Sequence, residues 1–244
     1  MKVLRTMKIF LILFTSFLMV SCGTESKEKD NFKVEYKGAL KNMMMKADVS
    51  AKTDLKPYGD IEHFYALGAL ENLKGEIQIF DSKPFITSVI DSSLHFDNTY
   101  NKKAALLVYA SVSKWKSVKI PDSIITYKEL EIFIEQKAKA ENINTNEPFP
   151  FLLEGTPKSL DWHVINWKDG DTEHSHEKHV ASGLNGTISN RSVEILGFYS
   201  NSHHAIFTHH TTNMHLHVKT TDNELAGHID GLTLGKGMIL KLPN

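Results

Sequence analysis

Residues 214–230 read Met214-His215-Leu216-His217-Val218-Lys219-Thr220-Thr221-Asp222-Asn223-Glu224-Leu225-Ala226-Gly227-His228-Ile229-Asp230. Apolar and polar side chains alternate from Met214 to Val218, which is the period of a β-strand. His215 and His217 therefore share one face, and Met214, Leu216 and Val218 take the other, toward a core. Asp222-Asn223-Glu224 has the chemistry of a hairpin turn. The chain then returns antiparallel and brings His228 opposite the first two histidines. Three imidazoles held on two rigid strands suit a metal ion, with a fourth position left for water or substrate, as in catalytic zinc sites. A bare His-x-His on a solvated strand face is the bland alternative, and the third histidine across the turn weighs against it.

Working outward, short apolar runs at 149–154, 160–167, 186–189, 193–199, 205–207 and 238–242 read as strands separated by Gly and Asn turns. Residues 127–141 have helical spacing, with Leu130, Phe133, Ile134 and Ala138 on one side. Nearer the N-terminus, 35–47 suits a short helix with Leu40, Met43 and Met44 on one face. Residues 56–60 form a turn, and 61–73 and 75–80 form strands around Lys74-Gly75. Runs at 85–90 and 104–112 add further strands, the latter nearly all apolar and so central in a sheet. The expected fold class is α+β, with mixed or antiparallel sheets and a β-rich C-terminal half that carries the metal site.

Composition narrows the function. A net charge of -1 over 244 residues is not that of a nucleic-acid-binding body, so no nucleic-acid partner is expected. Ten of the 13 histidines fall between His174 and His228, and histidine is the commonest metal ligand. His174, His176 and His179 sit in an acidic stretch that reads as a solvated, pH-sensitive loop. His203 and His204 read as surface-turn residues, and His210 is a candidate fourth ligand of the metal site.

The N-terminus reads as an address. Lys2, Arg5 and Lys8 precede an apolar run at 9–20 that is short for a membrane span and fits a signal-peptide core. Met19-Val20-Ser21-Cys22 resembles a lipobox, and Cys22, the sole cysteine, cannot form an internal disulfide. Residues 1–22 are thus expected to be a lipoprotein signal, 23–34 a polar tether, and 35–244 the folded domain. The chain would be exported and membrane-anchored through Cys22, on the periplasmic or cell-surface side. A plain secretory signal, or a membrane anchor with an incidental Cys, is the competing reading.

Two blocks resemble a known family, the bacterial alpha-acetolactate decarboxylases. Residues 215–232 resemble its C-terminal signature, in which a His-x-His strand and a Gly-Gly-His strand hold zinc. Leu67-Gly68-Ala69-Leu70-Glu71-Asn72-Leu73-Lys74-Gly75-Glu76 resembles its segment ending Leu-Asp-Gly-Glu. Gly155, Gly186-Thr187-Ile188 and Gly197-Phe198 are partial matches, so the likeness spans roughly residues 35–235. It implies His215, His217 and His228 as ligands of Zn2+ or another first-row divalent ion, and Glu76 as an active-site carboxylate. It also implies a reaction, 2-acetolactate to acetoin and carbon dioxide, and a homodimer. Two departures stand out. His163 occupies the position of a family arginine that pairs with the substrate carboxylate. The sequence, read to Asn244, has no counterpart of a glutamate in the family's C-terminal tail.

Two functions follow. One is a metal-dependent carboxy-lyase acting on 2-acetolactate or a related small-molecule 2-hydroxy-3-keto acid, with Glu76 and His163 as catalytic residues. The other is a non-catalytic, histidine-rich zinc-binding lipoprotein on the same scaffold, suggested by the clustered histidines and the missing arginine.

Overall fold

A computed structural model describes residues 32–244. The signal sequence, the Cys22 lipidation site and nearly all of the tether lie outside the described residues. Among those described, no helix is long and apolar enough to cross a membrane.

Two antiparallel sheets of eight strands each face one another. The first runs, edge to edge, through Glu35–Lys37, Lys103–Ser111, Phe64–Leu70, Glu76–Phe80, Ile86–Ile90 and Ser93–Asp97, with two short strands alongside. The second runs through Leu184–Ile188, Ser159–Val164, Ala226–Thr233, Met214–Thr220, Val193–Tyr199, Phe149–Gly155, Ile239–Pro243 and Trp115–Lys119. The fold is α+β and dominated by sheet. Strand content is high in both halves, because the first sheet is built wholly from residues before Val112.

Alternation along each strand sorts side chains into three apolar layers. Tyr65, Leu67, Leu106 and Val108 of the first sheet meet Leu152, Leu196 and Phe198 of the second, filling the space between sheets. Phe64, Ala66, Ile77, Ile79 and Leu107 pack on the outer face of the first sheet. Phe151, Leu153, Ile195, Leu216 and Val218 pack on the outer face of the second, against Leu130, Phe133, Ile134 and Ala138 of the helix Tyr127–Ala140. That helix starts at a capping box: Thr126 Oγ1 accepts from the Glu129 amide, and the Glu129 carboxylate accepts from the Thr126 amide. Both faces of the central strands are thus buried, so a polar residue on one of them needs a partner or a function.

Several local expectations change. Residues 205–207 form a turn, not a strand, with Ala205 at φ 59 and the turn's carbonyls accepting from the amides of Leu40 and Lys41, the first two residues of a helix. The run at 61–73 ends its strand at Leu70 and continues as a 3-10 turn over Glu71–Leu73. The first helix covers only Leu40–Lys46, preceded by a strand. Of its methionines Met43 is buried, whereas Met44 and Met45 are exposed. The strands Ser93–Asp97 and Trp115–Lys119 have no strong apolar signal because both are edge strands with mostly exposed side chains.

Candidate metal centre

The hairpin sets the site. Strands Met214–Thr220 and Ala226–Thr233 pair antiparallel with His217 directly opposite His228, and His228 in turn lies opposite His163 on Ser159–Val164. Three histidines therefore form a row across three adjacent strands, and His215 lies two residues along from His217. Met214, Leu216 and Val218 are buried on the helix side, so both histidines of the pair point into the space between the sheets.

The opposing sheet supplies the rest. Strand Glu76–Phe80 alternates in the same way: Ile77 and Ile79 pack outward, and Glu76, Gln78 and Phe80 point inward. The turn that delivers Glu76 depends on Gly75. Its φ is +150, and a Cβ there would lie 2.1 Å from the Thr87 carbonyl oxygen, so only glycine lets the two strands close up at this point.

Ring centroids of His215, His217 and His228 are 5.1, 5.2 and 5.4 Å apart. An imidazole nitrogen about 2.1 Å from an ion puts its ring centroid about 3.2 Å away, so tetrahedral angles separate two such rings by about 5.2 Å. The observed centroid separations match that figure, whereas, among the described residues, the group whose ligand atoms themselves approach within 4.8 Å of one another is His163, His228 and Asp230.

Hydrogen bonds decide which ring nitrogens are free. Gln78 Nε2 donates to the Phe85 carbonyl at 2.5 Å, and a carbonyl can only accept. Gln78 Oε1 therefore faces His217 Nδ1 at 2.9 Å and takes its proton as a hydrogen bond. This leaves His217 Nε2 as a lone pair, buried and without a partner. His215 Nδ1 is likewise buried and unpartnered. His163 Nδ1 and His228 Nδ1 both donate to the Asp230 carboxylate, at 2.8 and 3.1 Å, which leaves Nε2 of each ring as the atom that could meet an ion. Such outer partners fix the tautomers of metal-binding histidines. Asp230 is the extra residue of a β-bulge, since Asp161 pairs with Gly231 and Trp162 with Ile229. The bulge turns the carboxylate back toward both rings.

His163, His228 and Asp230 also bring three potential ligand atoms within 4.8 Å of one another. Their closest contacts are hydrogen bonds to the Asp230 carboxylate, which an ion there would replace. The triad differs in offering two buried nitrogens with nothing to bind, which is costly without an ion. The donor set of three imidazoles and a nearby carboxylate fits zinc and similar divalent ions.

Electrostatics agree with a ligand set. Burial, then the neighbouring imidazoles, push His215 and His217 well below the usual histidine range, so both are neutral. Burial also lowers His163, against the pull of Asp230. Burial acts to raise Asp230, yet the hydrogen bonds from His163 and His228 hold it well below the usual carboxylate range. Glu76 is buried, accepts from the Ile165 amide, and lies 3.8 Å from both His163 Nε2 and His217 Nε2. Burial, with a further push from the Asp230 charge, raises it well above the usual carboxylate range.

The structure thus brings together Glu76, His163, His215, His217 and His228. His210 does not join them: it is exposed, its ring 4.0 Å from that of His209, at the mouth of the cavity that opens on the site. The stretch containing His174, His176 and His179 is a solvated loop only as far as Ser175, and two of its histidines are packed. His174 stacks on Trp167 at 4.4 Å and its Nδ1 lies 2.9 Å from His179 Nε2. The short helix His176–Ala181 brings His176 Nε2 within 3.5 Å of Asp230. His203 and His204 stay in a surface turn, bonded to Ser200 and Asn213. Sequence reasoning missed Gln78, Asp230 and His176. Gln78 could have been found, since Glu76-x-Gln78 on an apolar strand mirrors His215-x-His217.

The cavity measures about 1010 Å³ and is lined by Glu76, His163, His215, His228 and Asp230 together with apolar side chains such as Leu40, Met43 and Leu106. Among the described residues the one arginine, Arg191, is in the hairpin region, paired with Asp222 and Glu224. No guanidinium therefore reaches the described site.

A family model described as alpha-acetolactate decarboxylase matches residues 32–241. No curated protein sequence matches the chain. Among solved structures, an alpha-acetolactate decarboxylase from Bacillus subtilis strain 168 superposes with a TM-score of 0.68 at 12% identity, covering 87% of this chain and 86% of its own. Another, from Bacillus subtilis subspecies spizizenii, gives 0.68 at 13% identity, covering 86% and 85%. A Staphylococcus aureus protein of unknown function, described as similar to alpha-acetolactate decarboxylase, gives 0.66 at 12% identity over 86% and 85%. These likenesses establish a shared fold.

Proposed function

Because this chain belongs to the alpha-acetolactate decarboxylase family, we propose that it is a metal-dependent carboxy-lyase that converts 2-acetolactate, or a related 2-hydroxy-3-keto acid, to a hydroxyketone and carbon dioxide. The observation that carries this reading is the pair of buried, unpartnered nitrogens, His215 Nδ1 and His217 Nε2, set with His228 at tetrahedral ring separations beside Glu76.

His215, His217 and His228 would hold the ion, zinc or another first-row divalent metal. A bound divalent ion supplies Lewis acidity to the hydroxyl and keto oxygens of the substrate. In the reaction the bond to the carboxylate carbon breaks, carbon dioxide leaves, and its electron pair passes toward the neighbouring carbonyl. A proton must then reach carbon. Glu76, a buried carboxyl 3.8 Å from His217 Nε2, would deliver it. His163 Nε2 lies 3.8 Å from Glu76 Oε1, and Asp230 fixes that ring through Nδ1. His163, in the place where the family resemblance puts an arginine, would relay a proton to Glu76 only after closing that gap.

The test is acetoin release from racemic 2-acetolactate by the metal-loaded protein and by Glu76→Gln. The variant should retain bound metal and lose turnover by roughly 100-fold or more. Turnover unchanged in Glu76→Gln would remove Glu76 from the mechanism. The missing guanidinium favours a second reading, a metal-binding lipoprotein without catalysis. That reading stands if the loaded protein holds zinc and releases no acetoin. Export and anchoring through Cys22 belong to the same proposal. Fatty-acid labelling that survives Cys22→Ala would refute the anchoring.

A further inference from the structure

The triad is deep. His217 is fully buried and His215 is 8% exposed, so an ion can reach them only through the cavity. Stripping a divalent ion of its water is costly unless polar ligands replace the water stepwise. A row of imidazoles leads inward from the mouth. His209 and His210 are exposed on one turn, with ring centroids 4.0 Å apart. Across the opening, on the helix His176–Ala181, the His176 ring lies 5.9 Å from that of His209. Two imidazoles sharing one ion have centroids about 5.2 Å apart, so a small adjustment lets His176 and His209 do so. Glu177 lines the same opening and adds a carboxylate. Inward, His176 Nε2 is 3.5 Å from Asp230 Oδ1, and that same oxygen bonds His228 Nδ1 at 3.1 Å.

We propose that His176, Glu177, His209 and His210 form a second, exchangeable site for a divalent cation at the cavity mouth, from which ions pass by way of Asp230 to the buried triad. This rests on the reading of His215, His217 and His228 as a metal site. Imidazole with a carboxylate suits zinc and its first-row neighbours. The mouth side chains are exposed, unlike the triad, and Thr211 Oγ1 at 2.8 Å from His209 Nδ1 leaves the other nitrogen of that ring for the ion, which exchanges readily with solvent.

Zinc binding to the metal-stripped full-length protein tests this, with stoichiometry from equilibrium dialysis and elemental analysis, and loading rate from stopped-flow competition with a chromophoric zinc indicator. The wild type should take two ions per chain, one tight and one released to a weak chelator. The triple variant H176Q/H209Q/H210Q should take only the tight one, and fill that site roughly tenfold more slowly to the same final occupancy. These side chains are exposed or half-exposed, and circular dichroism together with the single variant His209→Gln controls for misfolding. A single ion in the wild type, or an unchanged loading rate in the triple variant, overturns the proposal. The variant H215A/H217A separates the two readings. It should lose the tight ion and keep the exchangeable one. If it loses no zinc, the triad reading fails while the mouth site stands.

Discussion

Replacing Gln78 by leucine should weaken metal binding and fold stability together, through a residue that touches no metal. Gln78 is completely buried on the inner face of the first sheet. Its amide accepts from His217 Nδ1 at 2.9 Å and donates to the Phe85 carbonyl at 2.5 Å and to Thr87 Oγ1 at 3.2 Å. Leucine has a similar volume, so no large cavity forms, but the His217 N–H, the Phe85 carbonyl and Thr87 Oγ1 lose their partners. At about 1–3 kcal/mol for each buried unsatisfied group, the fold should lose roughly 3–9 kcal/mol. Without the acceptor, nothing holds His217 in the tautomer that frees Nε2, and loss of such a partner typically costs about 10–100-fold in metal affinity. Urea unfolding of the stripped protein reads the first effect, and competition with a chelator reads the second. Gln78→Glu keeps an acceptor for His217 and loses the donor to Phe85, so it should retain more metal affinity than Gln78→Leu. Zinc affinity in Gln78→Leu within about twofold of wild type would refute the role of this hydrogen bond.

Asp230→Asn keeps the shape of the side chain but removes the charge that two imidazole N–H groups share. Zinc affinity should fall by roughly 10–100-fold, measured by chelator competition, with the fold intact by circular dichroism. His179 gives a pH dependence. Burial first, then neighbouring histidines, bring it down to about 4 from 6.5. The unfolded chain therefore binds the extra proton between those values, so its contribution to stability is full above about 6.5 and is lost as pH falls toward about 4. Urea midpoints of the stripped protein should be lower at about pH 5 than at about pH 7.5, and His179→Gln should flatten that slope; an equal slope in both proteins would exclude His179 as the source. Phe198→Ala should cost about 3–5 kcal/mol, because the ring is fully buried between the sheets. A loss below about 1 kcal/mol would contradict a shared core between the two sheets.

The sequence alone determined the elements whose two faces differ in chemistry. Strict alternation over Met214-His215-Leu216-His217-Val218, followed by a turn-forming Asp222-Asn223-Glu224, sets the direction of return, so His228 opposite the His215 and His217 pair was legible before any coordinates, and the register that puts it directly across from His217 came with the structure. The helix over 127–141 was legible for the same reason, its apolar residues falling on one side at helical spacing. Residues 205–207 were misread because a short apolar run serves a buried turn as well as a strand, and the apolar pattern cannot tell them apart. Only the tertiary structure decided what faces the histidines. Gln78 and Glu76 come from 139 and 141 residues earlier in the chain than His217 (217 less 78, and 217 less 76), on the opposing sheet. The turn of Asp230 toward both rings depends on a bulge that no single strand reveals, and the approach of His176 depends on packing over Trp167. Local alternation fixes which side of a strand a residue occupies. Which side chain meets it across the sheets, and hence which nitrogen keeps its lone pair, is set by the register and stacking of two sheets, and that information is not local.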